Sequence, residues 1–177
     1  MTASDAVESK IGSVLFTDLV GFTEYTDGAG DAAALRVLDA QTTLVSSVLA
    51  GDSESRVVKE LGDGLMLWLA HPTTAVDVAC RLLDGFRRAQ ADDRIPLAVR
   101  MGMHLGEAVV RGADFIGQTV NIASRVSDLA GPGELLVSEG VVAANRNSLV
   151  PRIFEPVGPA RVKGVQAPIW LYRIADR

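Results

Sequence analysis

Residues 56–70 read RVVKELGDGLMLWLA, two runs of β-favouring residues around Gly62-Asp63-Gly64. A Gly-Asp-Gly tip between apolar runs predicts a β-hairpin. Upstream, 13–18 (SVLFTD) reads as a short apolar strand between Gly12 and Gly21. A helix is predicted over 31–49, with Leu35, Leu38, Thr42, Val45 and Leu49 at three-four spacing. Downstream, His71-Pro72 opens a second helix with the stripe Ala75, Val78, Ala79, Leu82, Leu83 and Phe86. A strand follows over 97–105, bent at Gly106 into another over 107–110. The third helix spans 118–130 and stops at Gly131-Pro132-Gly133. A buried strand (134–138), a short helix (139–146) and two strands, near 152–157 and at 169–174, complete the reading. Hairpins inside an alternation of strands and helices predict an α/β (α+β) sandwich, its sheet largely antiparallel and flanked by helices. A doubly wound parallel sheet does not fit. No repeat or linker divides the chain, which reads as a short leader (1–12) and one domain (13–177).

Bulk composition narrows the function classes. The chain has 177 residues, 48% hydrophobic and 22% charged, a balance that supports a packed core. Its net charge of −5 argues against a broad electrostatic grip on nucleic acid or anionic membrane. Any bound phosphate must then be held by a few placed cations or by metal ions. Cys80 is the single cysteine, so no intramolecular disulfide forms, and its apolar helical setting reads as a small buried hydrophobe. With no signal-peptide core and no long apolar run, the expectation is a soluble, cytoplasmic protein. The short leader and the starting methionine favour a stand-alone domain.

Two aspartates have positions suited to chemistry. Val14, Phe16 and Asp18 share a strand face, so a carboxylate ends an apolar row, and Asp63 sits at the hairpin tip. Singly, Asp18 reads as a turn cap and Asp63 as an ordinary hairpin residue. Together they match hard divalent cations, which take carboxylate oxygens and leave positions for phosphates. Spacing leaves open whether they meet. Asn121 and Arg125, four apart, share a helix face, while Ile122, Ala123, Val126 and Leu129 face elsewhere. Taken alone, that face reads as a solvated stripe with Arg125 paired to Asp128. Strand alternation puts Lys59 on the row of Val57 and Leu61, a cation on an inward row. Lys163 is a loop lysine. His71 and His104 are too isolated for a zinc site, and no Walker-type run or GxSxG elbow occurs.

Four fragments together resemble the class III adenylate/guanylate cyclase family: VLFTDLVGFT (14–23), VVKELGDGLM (57–66), ADFIGQTVNIASRV (113–126) and VKGVQAP (162–168). Each is modest alone; in this order and spacing they are specific, and they span nearly the whole chain. The resemblance implies a class III nucleotidyl cyclase catalytic domain with a ferredoxin-like βαββαβ core and extra elements. It implies a head-to-tail homodimer, with sites at the interface that draw on both chains. By the same resemblance, Asp18 and Asp63 hold two divalent cations, Mg²⁺ or Mn²⁺, with the Leu19 carbonyl as a further ligand. From the opposite subunit, Lys59 and Asp114 read the purine and Asn121 orients the ribose. Arg125 stabilises charge at the α-phosphate, and Lys163 holds the β- and γ-phosphates. The implied reaction is conversion of ATP into 3′,5′-cyclic AMP and pyrophosphate.

Purine choice follows from hydrogen-bonding inventory. Lys59 only donates and ionised Asp114 only accepts, matching N1 and the N6 amine of adenine. Guanine presents the reverse pattern, and each mismatch costs roughly 1–3 kcal/mol. Guanylate cyclases of the family usually carry glutamate and cysteine at these two positions. The sequence departs from the mammalian members at Gly133-Glu134-Leu135, where they place arginine or lysine. A catalytically silent, nucleotide-binding or dimerising relative commonly loses a metal aspartate or the Asn/Arg pair, and this chain keeps them. A diguanylate cyclase would need a GG[DE]EF hairpin where this chain has LGDGL.

Overall fold

The computed structural model describes residues 8–146, 148, 150 and 152–175. Residues 1–7 of the expected leader and the last two of the expected domain lie outside the described residues. The elements run β1 (Ser9–Leu19), α1 (Phe22–Ala29), α2 (Asp31–Leu49), β2 (Arg56–Leu61), β3 (Gly64–Leu69), α3 (Ala75–Ala91) and β4 (Val99–Arg111). They continue with β5 (Asp114–Ile116), α4 (Gln118–Leu129), β6 (Leu135–Ser138), α5 (Glu139–Ala144), β7 (Phe154–Ala160) and β8 (Ile169–Ile174).

The hairpin at 56–70 forms as its sequence predicts and sits at one edge of an eight-stranded sheet. The order is β2-β3-β1-β4-β6-β8-β7, with β5 added on β4. Only β4 and β6 run parallel. The segment β1-α2-β2-β3-α3-β4 is thus the expected βαββαβ unit, its strands ordered β2-β3-β1-β4. One sheet face carries Leu15, Leu67, Met101 and Met103 against α2 and α3, whose Val45, Leu82 and Phe86 are buried there. The opposite face carries Val14, Met66 and Trp68, with α4 packed on it through Ala123. Gly102 makes that approach possible: a Cβ there would stand 2.1 Å from the Ser127 amide nitrogen. Among the described residues no helix is long and apolar enough to cross a membrane.

Several sequence expectations shift. β1 begins at Ser9, inside the expected leader, because its first residues pair with the far end of β4. Strand β4 is one continuous strand over Val99–Arg111 rather than two bent at Gly106. Gly106 serves a close approach instead, since a Cβ there would meet the Thr119 hydroxyl at 2.6 Å. The buried stripe of α2 is Ala33, Ala34, Val37, Gln41, Val45 and Leu49, whereas Leu35 is 61% exposed. Of the α4 residues that face away from Asn121 and Arg125, Ile122, Ala123 and Val126 are buried, while Leu129 at the last turn is 55% exposed. Helix α3 starts at Ala75, after a turn closed by the Thr74 and Ala75 amides on the His71 carbonyl. The short α1 and the three-residue β5 had no sequence expectation.

Candidate active site

Strand β1 ends in Leu19, and Asp18 lies on the same sheet face as Val14 and Phe16. Its direct cross-strand partner is Arg100 of β4. Arg100 donates from Nε to Asp18 Oδ2 at 2.7 Å, with a second nitrogen 2.6 Å from the same oxygen. The β2–β3 tip folds onto this carboxylate. Gly64 permits it: a Cβ there would lie 2.9 Å from the Thr17 carbonyl and 3.6 Å from Asp18 Oδ1. Asp63 is held from below by Gln41, whose Nε2 donates to the Asp63 carbonyl at 3.2 Å. Burial pushes the Asp63 carboxyl above the usual carboxylate range, and the negative charge of Asp18 adds to the rise.

Asp18 and Asp63 are therefore neighbours. Among the described residues no group of three or more His, Cys, Asp or Glu side chains could hold a metal ion. Two carboxylates beside the Leu19 backbone still suit a hard cation that completes its shell with carbonyl, phosphate and water oxygens. The raised Asp63 carboxyl fits such a site, because a cation would offset its repulsion from Asp18.

Lys59 departs from its expected place. The β2–β3 register shifts between Val57 and Lys59, so Val57 opposes Leu67 while Lys59 opposes Met66. This bulge at Val58 turns Lys59 away from the row of Val57 and onto the face of Met66 and Phe16. There its Nζ lies 2.5 Å from Asp114 Oδ2 on β5. The other Asp114 oxygen accepts the Phe115 amide at 2.8 Å. The Lys59 hydrogen bond holds the Asp114 carboxyl below the usual range.

A third group gathers on α4. Its inner face buries Thr119, Ile122, Ala123, Val126 and Ser127, which leaves Asn121 and Arg125 outward and exposed. Arg125 pairs with Asp128 at 3.1 Å, as the solvated-stripe reading expected. Lys163 joins them from the β7–β8 loop, which is anchored by buried Val162 and by Gln118 donating to the Gly164 carbonyl at 3.1 Å. Asn121, Ser124, Arg125 and Lys163 line a cleft of about 310 Å³. Among the described residues no hydrogen bond or ion pair joins this group to Asp18 or Asp63.

These positions, with Lys59 and Asp114 paired, carry the fragments on which the cyclase resemblance rests. The family model for the adenylate and guanylate cyclase catalytic domain matches residues 6–175. The chain belongs to this family. A putative adenylate cyclase of Rhizobium meliloti is 28% identical over 99% of this chain and 30% of its own length. A pH-sensitive adenylate cyclase of Mycobacterium tuberculosis is 30% identical over 92% of this chain and 40% of its own length. The chain thus spans well under half of these curated relatives. The adenylyl cyclase CyaB from P. aeruginosa has the same fold, with a TM-score of 0.85 over 97% of this chain and 96% of its own, at 23% identity.

In this cyclase domain the sequence reading misses Arg100 and Gln41. Arg100 lies in the stretch 97–105 that reads as a strand, but neither its pairing with β1 nor its register with Asp18 is legible there. Gln41 is a polar residue 1% exposed in an apolar helix stripe, a signal hidden when the stripe was drawn through Leu35 and Leu38. At the departure from mammalian members, Glu134 pairs with Arg173 and accepts the Gly131 amide at 2.7 Å. Its carboxylate is thereby engaged in holding the turn before β6.

Proposed function

We propose that this domain is an adenylate cyclase, converting ATP into 3′,5′-cyclic AMP and pyrophosphate. The observation that carries the choice of ATP is the Lys59–Asp114 pair, 2.5 Å apart on one sheet face. Lysine has three donors and the carboxylate spare lone pairs, so each can bond the purine while keeping the other. N1 of adenine accepts from Lys59 and the N6 amine donates to Asp114.

Asp18 and Asp63, with the Leu19 carbonyl, would hold two Mg²⁺ or Mn²⁺ ions. Bound there, divalent cations lower the pKa of the ribose 3′-hydroxyl and neutralise phosphate charge. Asn121 orients the ribose, so that the 3′-oxygen attacks the α-phosphorus in line while pyrophosphate leaves. Arg125 stays charged and donates in a fixed plane to the α-phosphate oxygens. Lys163 takes the β- and γ-phosphates. No protein nucleophile is needed.

The outward direction of Asn121 and Arg125 supports a head-to-tail homodimer in which they complete a partner's Asp18–Asp63 site. Each chain carries every group, so the dimer has two complete sites. We place this activity in the cytoplasm, in signalling. The test is the product: metal-dependent formation of 3′,5′-cyclic AMP from ATP.

A further inference from the structure

Asp114 stands on a strand too short to hold itself in place. β5 has three residues and, among the described residues, pairs only with the far end of β4. Its partner Lys59 belongs to a different arm, the β2–β3 hairpin. Something must fix one arm against the other, or the Lys59–Asp114 spacing would drift.

Phe115, next to Asp114, is 1% exposed. Its ring stacks on Trp68 of β3, with centroids 4.0 Å apart and planes 11° apart. Trp68 occupies one side of that ring. The guanidinium of Arg56 also lies over the ring, 4.9 Å from its centre. Arg56 and Trp68 are direct cross-strand partners in the hairpin. The hairpin therefore holds Phe115 through both an aromatic ring and a cation. Arg56 also donates to the Ala113 carbonyl at 3.3 Å, so it holds backbone on the other side of Asp114.

We propose that Arg56, Trp68 and Phe115 form a clamp that sets the spacing of Lys59 and Asp114, making them positioning residues for purine selection. This rests on the adenylate cyclase reading above. The clamp acts through Lys59 and Asp114 and needs no contact with the nucleotide. The bulge at Val58 turns Lys59 onto the shared face, and the clamp brings Asp114 to meet it.

The test uses Arg56→Met, which keeps a flexible stem but removes the cation and the donor, with Arg56→Lys as the conservative control. Two readouts are taken on the full chain: the ATP-to-GTP ratio of kcat/KM, and the titration of the Asp114 carboxyl followed by NMR. Arg56→Met should lower the ratio about tenfold, the scale of one misaligned hydrogen bond. It should also move the Asp114 carboxyl up toward its ordinary value, and Arg56→Lys should recover part of both. A folded Arg56→Met protein with the wild-type ratio and the wild-type Asp114 titration would overturn the clamp. If wild type made no cyclic nucleotide, the reaction assignment would fail, while the Asp114 titration would still decide the clamp.

Discussion

Two nitrogens of Arg100 lie 2.7 and 2.6 Å from one carboxylate oxygen of Asp18, across the β1–β4 register. No other salt bridge reaches Asp18 or Asp63 among the described residues. Arg100 is the cation that lets a strand end in a carboxylate beside a second one. Removing it leaves both carboxylates facing each other. Arg100→Gln should lower the unfolding free energy by about 1–3 kcal/mol at neutral pH, measured by urea denaturation without metal. Wild-type stability in that variant would refute this view of Arg100.

Asp63 is expected to trade stability for chemistry. Its carboxyl is raised by burial first and by Asp18 second. A raised folded-state value means stability fully present below the ordinary carboxylate pKa and lost as pH rises through the raised one. Ionised Asp63 is therefore a cost at neutral pH in the metal-free protein. Asp63→Asn should melt higher than wild type at pH 7, with the gain vanishing in acid, while cyclase activity falls at least ~100-fold. Full activity in that variant would sink the metal assignment.

His104 is expected to contribute to the loss of stability in acid. Burial pushes it down to about 4 from 6.5, and its Nδ1 lies 2.7 Å from the Ser138 hydroxyl. Its lowered value gives stability that is present above pH 6.5 and lost as the pH falls toward 4. Over that window the domain should lose on the order of 2 kcal/mol, and His104→Gln should flatten the slope. Identical slopes for the two proteins would assign the acid loss to other groups.

Shared sites predict complementation. Asp18→Ala and Arg125→Ala chains should each be inactive alone. Mixed, they should regain about one working site per heterodimer, roughly half the wild-type turnover. Confirmed heterodimers with no activity would contradict an interfacial site.

Changing Lys59 to Glu and Asp114 to Cys together should reverse the donor and acceptor pattern. ATP kcat/KM should drop by about tenfold or more, with GTP use rising in proportion. Unchanged selectivity would mean that the purine is read elsewhere.

The fold was legible wherever a local pattern was strong. The Gly62-Asp63-Gly64 tip marks the hairpin, and the apolar spacing over 31–49 predicts helix α2 with the bounds it has in the structure. Long-range register was not legible, and the early start of β1, the continuous β4 and the face of Lys59 trace to it. Nothing in the sequence near Gly106 says that β4 runs straight past it to pair with Ser9 and Lys10. Lys59 shows the same limit inside the site. Simple alternation puts it with Val57, and one bulged residue, visible only against β3, turns it to the other face. Asp18 and Asp63 could be named from the sequence, but their meeting depends on how closely Gly64 approaches Thr17.

ATP cyclisation is decided by identifying the nucleotide product. Purified protein is incubated with ATP, or separately with GTP, plus Mn²⁺, and the nucleotide product is identified by mass and by comparison with authentic 3′,5′-cyclic standards. Cyclic AMP is expected from ATP, with far less product from GTP and none from Asp18→Ala. A folded, dimeric wild-type sample that forms no cyclic AMP, or that prefers GTP, would contradict this expectation.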